Sequence, residues 1–301
     1  MEAKSNSSKE KDQEQSKLTN SKNMLENLKS DYFIKTFFFD FILERKSLKI
    51  IRLNKSIQKR VDVNITNYKA CSEKYSSIEI EIKPRQFIQG QFINIEKEED
   101  KKYYHIYFNG NKKKEVKSTS LEKNHKVSKI NIIIDYQITS FKNLFILCRC
   151  IESINFKKFY RNNITNMNSM FAECTSLKEI NLDNLKTDNV IDMNCMFSGC
   201  SSLKKLNLNN INTKNVTKME GMFGGCESLK ELDLSSFNTS KVTNMNCMFQ
   251  GCKLLKELNI KNFKMNNATE MIAMFYGCPE ELKFKIKRKF KNIKEQAFKG
   301  F

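Results

Sequence analysis

The sequence predicts an α/β solenoid in which each 26-residue unit holds one short parallel strand and one short helix. A helical hairpin and a small β-rich module precede it. The first observation behind this is a strict period. Met-Phe recurs at Met170-Phe171, Met196-Phe197, Met222-Phe223, Met248-Phe249 and Met274-Phe275, always 26 residues on. A cysteine column at Cys174, Cys200, Cys226, Cys252 and Cys278 moves in step. Repetition at such a period is the mark of stacked units. The second observation is alternation, as in Lys230-Glu231-Leu232-Asp233-Leu234, which suits a strand with one buried face. The third is helical spacing: Val242, Met245, Met248 and Phe249 lie at i, i+3, i+6 and i+7. Gly199, Gly225, Gly251 and Gly277 then stand where a helix C-cap needs a left-handed residue.

In chain order, residues 1–28 are rich in Lys, Glu, Ser, Asn and Gln and read as a disordered polar tail. Residues 29–70 read as a helical hairpin, with an apolar helix from Tyr32 to Leu43 and an amphipathic one ending near Arg60. Residues 71–135 switch to alternation, Ile78/Ile80/Ile82, Tyr104/Ile106/Phe108 and Ile130/Ile132/Ile134, with Asn109-Gly110 as a hairpin turn. They form the β-rich module. The repeat array spans 136–290, its fading copies at Ile138, Phe141, Phe145 and Cys148 and at Leu282, Phe284 and Ile286 serving as ends. Residues 291–301 are a basic C-terminal tail.

The run Met222-Phe223-Gly224-Gly225-Cys226-Glu227-Ser228-Leu229-Lys230-Glu231-Leu232-Asp233-Leu234-Ser235-Ser236-Phe237-Asn238-Thr239 resembles the leucine-rich repeats of BspA-like surface proteins. The resemblance covers about half of the chain. It implies a leucine-rich repeat array with a parallel strand ladder on its inner face, in a family that includes adhesins and other surface proteins. Helices 31–60 resemble the opening of an F-box, with Phe37 to Leu43 and Leu48 to Gln58 in the motif places, although the usual Leu-Pro and Trp are missing. An ordinary hairpin packing on the next domain is the plainer reading.

A formal charge of +19, from 53 basic and 34 acidic residues, suggests an anionic partner at first sight. Its distribution argues otherwise. Residues 160–283 hold 14 basic and 13 acidic side chains, so the array is nearly neutral, and the charge sits in the first half and in Lys285–Lys294. Without interleaved aromatics on one face this reads as solubility and speaks against nucleic acid. No signal peptide, transmembrane span or lipid anchor is visible, so a cytoplasmic monomer is expected, with a cell-surface place implied by the family resemblance.

No phosphate loop, HExxH, GxSxG or paired His and carboxylate is legible in the sequence, so no catalytic set, cofactor or metal is expected and the chain reads as non-enzymatic. The Met-Phe and cysteine columns read as core, and Cys195 and Cys247, outside those columns, as candidate exposed thiols. The polar strand positions are then the candidate binding face for an unknown protein ligand. They are Glu179, Asn181 and Asp183, then Lys205, Asn207 and Asn209, then Glu231, Asp233 and Ser235, then Glu257, Asn259 and Lys261. A protein-binding scaffold is the leading expectation. An F-box-like ubiquitin-ligase substrate adaptor, recruiting through 31–60, and a surface adhesin are the alternatives.

Overall fold

The computed structural model describes residues 75–300 apart from Phe87, Asn124, His125 and 266–269, together with the single residues Lys59 and Glu73. The chain forms two compact units, Met1–Tyr75 and Ser76–Phe301, and the elements below belong to the second. The expected polar tail and helical hairpin, with the F-box-like segment 31–60, lie outside the described residues.

Ile78, Ile80 and Ile82 alternate with Glu79, Glu81 and Lys83, and that alternation becomes strand β1, Ile78–Pro84, with the isoleucines buried. Short β2 (Gly90–Gln91) follows, then a 3-10 turn and β3 (Tyr104–Phe108), β4 (Glu115–Val116), β5 (Ser120–Leu121) and β6 (Ile130–Ile134). The repeats contribute β7 (Ile151–Lys158), β8 (Glu179–Asn181), β9 (Glu231–Asp233) and β10 (Glu257–Asn259), and helix α1 (Glu280–Lys289) follows them. One mixed sheet runs β4-β3-β6-β1-β7-β8, while β9 with β10 and β2 with β5 form separate pairs. β1 meets β7 antiparallel, Ile80 opposite Phe156 and Ile82 opposite Ile154, whereas β7 meets β8 parallel. The first strand of the module, rather than its last, therefore covers the opening strand of the array.

The expected α/β solenoid is overturned. Among the described elements the named α-helix is α1, no helix occurs within a repeat unit, and the strands are divided between a mixed sheet and two-stranded pairs. The cause lies in the backbone of the Met-Phe segments. An α-helix keeps all its amides within itself and right-handed throughout. Here two positions per unit are left-handed: Ser169, Cys195, Gly221, Cys247 and Ala273 at φ between 53° and 60°, and Glu173, Gly199, Gly225, Gly251 and Gly277 at φ between 60° and 74°. Alternate amides consequently point in different directions. Those of Met170, Ala172 and Cys174 bond the carbonyls of Met167, Ser169 and Phe171 within the unit. Those of Met167, Ser169, Phe171 and Glu173 instead bond Asp192, Asn194, Met196 and Ser198 in the next unit, at 2.7–2.9 Å. Three of these seven bonds make turns and four bind neighbouring units together, so these amides are satisfied without a helix. Parallel bridges from Ser140 through Asn166, Asp192, Lys218 and Asn244 to Glu270 continue the register.

The apolar columns pack as the spacing requires, even though the segments are not helical. Phe145, Phe171, Phe197, Phe223, Phe249 and Phe275 stack ring on ring, with centroids 5.3–5.8 Å apart, and Phe298 adds one more ring at 5.6 Å. Rings buried in this way combine large transfer energies with favourable offset stacking. The column cysteines are fully buried free thiols with a specific duty. Cys174, Cys200, Cys226, Cys252 and Cys278 each donate Sγ–H to the phenylalanine carbonyl of the preceding unit at 3.0–3.1 Å. Buried Thr187 and Thr213 act likewise on the opposite flank. Thr213 Oγ1 donates to the Asn238 carbonyl and accepts its amide, at 3.1 and 2.8 Å.

Both ends of the stack are closed. Asn94 donates its amide to the Leu144 carbonyl at 2.7 Å, and Arg85 donates to Cys150 at 2.7 Å. At the other end Ala273 and Phe275 donate to the Gln296 and Ala297 carbonyls, while Leu282 and Ile286 bury the inner side of α1.

Candidate functional site

The strand face carries the twelve candidate residues in three-residue sets. Every one is exposed except Ser235 and Asn259, which are half-buried. Seven of them line one open groove of about 520 Å³: Lys205, Asn207, Asn209, Glu231, Asp233, Glu257 and Asn259, over a floor that includes Leu206, Leu208 and Leu232. Glu179, Asn181, Asp183, Ser235 and Lys261 do not line it. Three glutamates and aspartates therefore face one lysine across the groove.

One expected strand is missing from that face. Glu179–Asn181, Glu231–Asp233 and Glu257–Asn259 are strands, but Lys205–Asn207 pairs with neither β8 nor β9. The large sheet consequently ends at β8, and the β9–β10 pair stands beyond the interruption. The groove lies at this interruption.

Within each set the middle residue has a structural task. Asn181, Asn207, Asp233 and Asn259 each accept, through Oδ1, the amide two residues on, at 2.8–3.4 Å, which turns the chain away at the strand end. Hydrogen bonds from Ser235 hold the Asp233 carboxyl below the usual aspartate range. The first column, Glu179, Lys205, Glu231 and Glu257, has no such backbone duty. Glu257 meets Lys285 of α1 at 2.8 Å, and Glu281 meets the same ammonium at 3.0 Å. These two carboxylates raise the Lys285 pKa.

The opposite side of the stack has a second groove of about 670 Å³, lined by left-handed glycines and by Cys195, Glu220, Cys247, Lys253 and Tyr276. Cys195 and Cys247 are half-buried, and burial and the Glu220 carboxylate push both thiols up. They stand two units apart with Gly221 between them, beyond the Cα separation that a disulfide spans. Their surroundings oppose the thiolate, so exposure there does not bring nucleophilicity. Among the described residues no group of three or more His, Cys, Asp or Glu side chains is placed to hold a metal ion.

Arg161 escaped the reading of the sequence. It stands in the column of Thr187, Thr213 and Thr239 and is 0% exposed, donating Nη1 to the Ile138 carbonyl at 2.8 Å. Its Nε and Nη2, and Asn163 Oδ1, are buried with no protein partner. Desolvation lowers the guanidinium pKa to about 10. Its position 26 residues before Thr187 was the signal that marked it.

Comparison with known proteins bears on the repeat region. A family model described as "Mycoplasma protein of unknown function, DUF285" matches residues 139–231 and again 165–288, two registers that begin one repeat apart. A solved structure of a leucine-rich repeat protein from Bacteroides ovatus ATCC 8483 is 18% identical over 52% of this chain and 50% of that one, with a TM-score of 0.23. The chain thus spans about half the length of the structure it matches. No curated protein matches.

Proposed function

We propose that this chain is a non-enzymatic, BspA-like protein-binding scaffold that holds an extended segment of a protein ligand along its strand face. The observation that carries the reading is the groove on Lys205, Asn207, Asn209, Glu231, Asp233, Glu257 and Asn259. It is open and polar at its rim, with leucines beneath, and that is the anatomy of a protein-contact surface rather than of a closed substrate pocket. Lys205 and Glu231 of the first column supply recognition, and the turn-forming second column keeps the spacing fixed. Among the described residues no helix is long and apolar enough to cross a membrane.

Peptides selected from a displayed library against the full chain test this reading. Binders should lose at least tenfold in affinity with Lys205→Glu combined with Glu231→Lys, because close like-charge contacts across an interface cost several kcal/mol. Gln250→Lys, in the opposite groove, should leave them unchanged. Binders that ignore the strand-face pair and respond to Gln250→Lys would refute the assignment.

A further inference from the structure

Helix α1 does more than close the stack. Leu282 and Ile286, one turn apart, are buried. Phe284 lies two positions after Leu282, about 200° around the helix, and so projects away from the stack. It is 63% exposed, the most exposed large apolar side chain among the described residues. Arg288 follows one turn later on the same side, with its guanidinium 5.8 Å from the Phe284 ring.

The segment that carries this ring is net basic. Residues 280–301 carry eight basic side chains and three acids, with Glu280 and Glu281 one turn before Phe284 and paired with Lys283 and Lys285. Lys285 is paired with Glu257 and Glu281, and Lys287 with Glu295. Arg288, Lys289, Lys291, Lys294 and Lys299 are exposed and have no carboxylate partner among the described residues. The repeat stack itself is nearly neutral, so this segment differs in charge from the units it follows.

We propose that this C-terminal cap is a docking surface for anionic lipid bilayers, with Phe284 entering the headgroup region and the unpaired cations meeting lipid phosphates and carboxylates. An exposed apolar ring beside Arg288 on a net basic segment meets both demands of an interfacial site, buried apolar area and attraction to anionic lipid. A nucleic-acid groove differs, because successive bases need successive exposed stacking platforms, whereas the other described phenylalanines of this segment, Phe290 and Phe298, are half-buried and buried. The cap lies outside the strand-face groove, so its failure and that of the ligand reading are independent.

The chain contains no tryptophan, which makes Phe284→Trp a single reporter. With vesicles of phosphatidylcholine and phosphatidylserine at low ionic strength, its emission should shift to the blue and be quenched by brominated lipid. Phosphatidylcholine alone should do neither. In co-sedimentation of the full chain, Arg288→Gln with Lys291→Gln should weaken binding about 30-fold, at about 1 kcal/mol per cation. Phe284→Ala should weaken it about tenfold. Unshifted emission with phosphatidylserine vesicles, binding indifferent to these variants at unchanged thermal midpoint, or tighter binding to an oligonucleotide than to vesicles would overturn the proposal.

Discussion

The phenylalanine column sets a test of how the repeats hold together. Phe223 is fully buried and stacks between Phe197 and Phe249, with centroids 5.8 and 5.7 Å away and planes within 6°. Phe298, at the end of the same column, meets one ring, Phe275, at 5.6 Å and is slightly exposed. Phe223→Ala removes a complete ring from a site that neighbouring units cannot collapse into, since cross-unit amide bonds at Phe223 and Gly225 fix their spacing. The expected cost is about 3–5 kcal/mol. Phe298→Ala loses one stacking partner, opens toward solvent and should cost about half as much. For a domain of this size that is a fall in Tm of roughly 10 °C for Phe223→Ala. Urea denaturation followed by circular dichroism, with m-values compared, measures both. Equal losses at the two positions, or a loss below about 1 kcal/mol at Phe223, would refute the account of a rigidly spaced column.

Three further outcomes follow from the same geometry. Thr213→Val leaves the Asn238 amide and carbonyl without their bridging hydroxyl and should cost about 1–3 kcal/mol in the same denaturation experiment. Glu152 joins Lys178 at 2.9 Å and Lys83 at 3.0 Å, and these bonds lower its pKa from 4.5. Its contribution is present above the unfolded pKa and is lost as pH falls through the folded one. Glu152→Gln should therefore be less stable than the parent by about 0.5 kcal/mol at neutral pH and converge with it in acid, as thermal melts across pH would show. Among the nine described cysteines, residue-resolved alkylation should label Cys195 and Cys247 first, faster as pH rises past 9, and the buried column thiols at the rate of global unfolding. Early labelling of Cys200 or Cys226 would contradict the packing.

The period and the core were legible in the residues, because burial at Met245, Met248, Phe249 and Cys252 must recur with the unit whatever the backbone does between them. The backbone itself was hidden. A two-turn segment with left-handed residues and a short helix bury the same i, i+3, i+6 and i+7 positions, so spacing alone does not separate them. Glycine marks the second left-handed column at Gly199, Gly225, Gly251 and Gly277, but the first holds Ser169, Cys195, Cys247 and Ala273 as well as Gly221. With four ordinary side chains there, local composition gives no sign of the conformation. Phe298 was missed for a different reason. It follows Phe275 by 23 residues rather than 26, because α1 and a turn replace a regular unit before the ring rejoins the column.

The strand face divides its labour in a way that bears on specificity. Asn181, Asn207, Asp233 and Asn259 need only a side-chain oxygen at Oδ1 to close their turns, so Asn and Asp serve equally and the column varies little in shape. The first column carries no such constraint and reads Glu, Lys, Glu, Glu, with its one reversal at Lys205, where strand pairing also lapses. Under the proposed binding role, a segment lying along the groove would meet a fixed polar line beside Lys205, Glu231 and Glu257, a basic position followed by two acidic ones. An evenly basic ligand would be repelled at that point. The better fit under that role is a segment that presents an acid opposite Lys205 and a base opposite Glu231, Glu257 being already paired with Lys285, since misplaced like charges discriminate more strongly than matched ones attract.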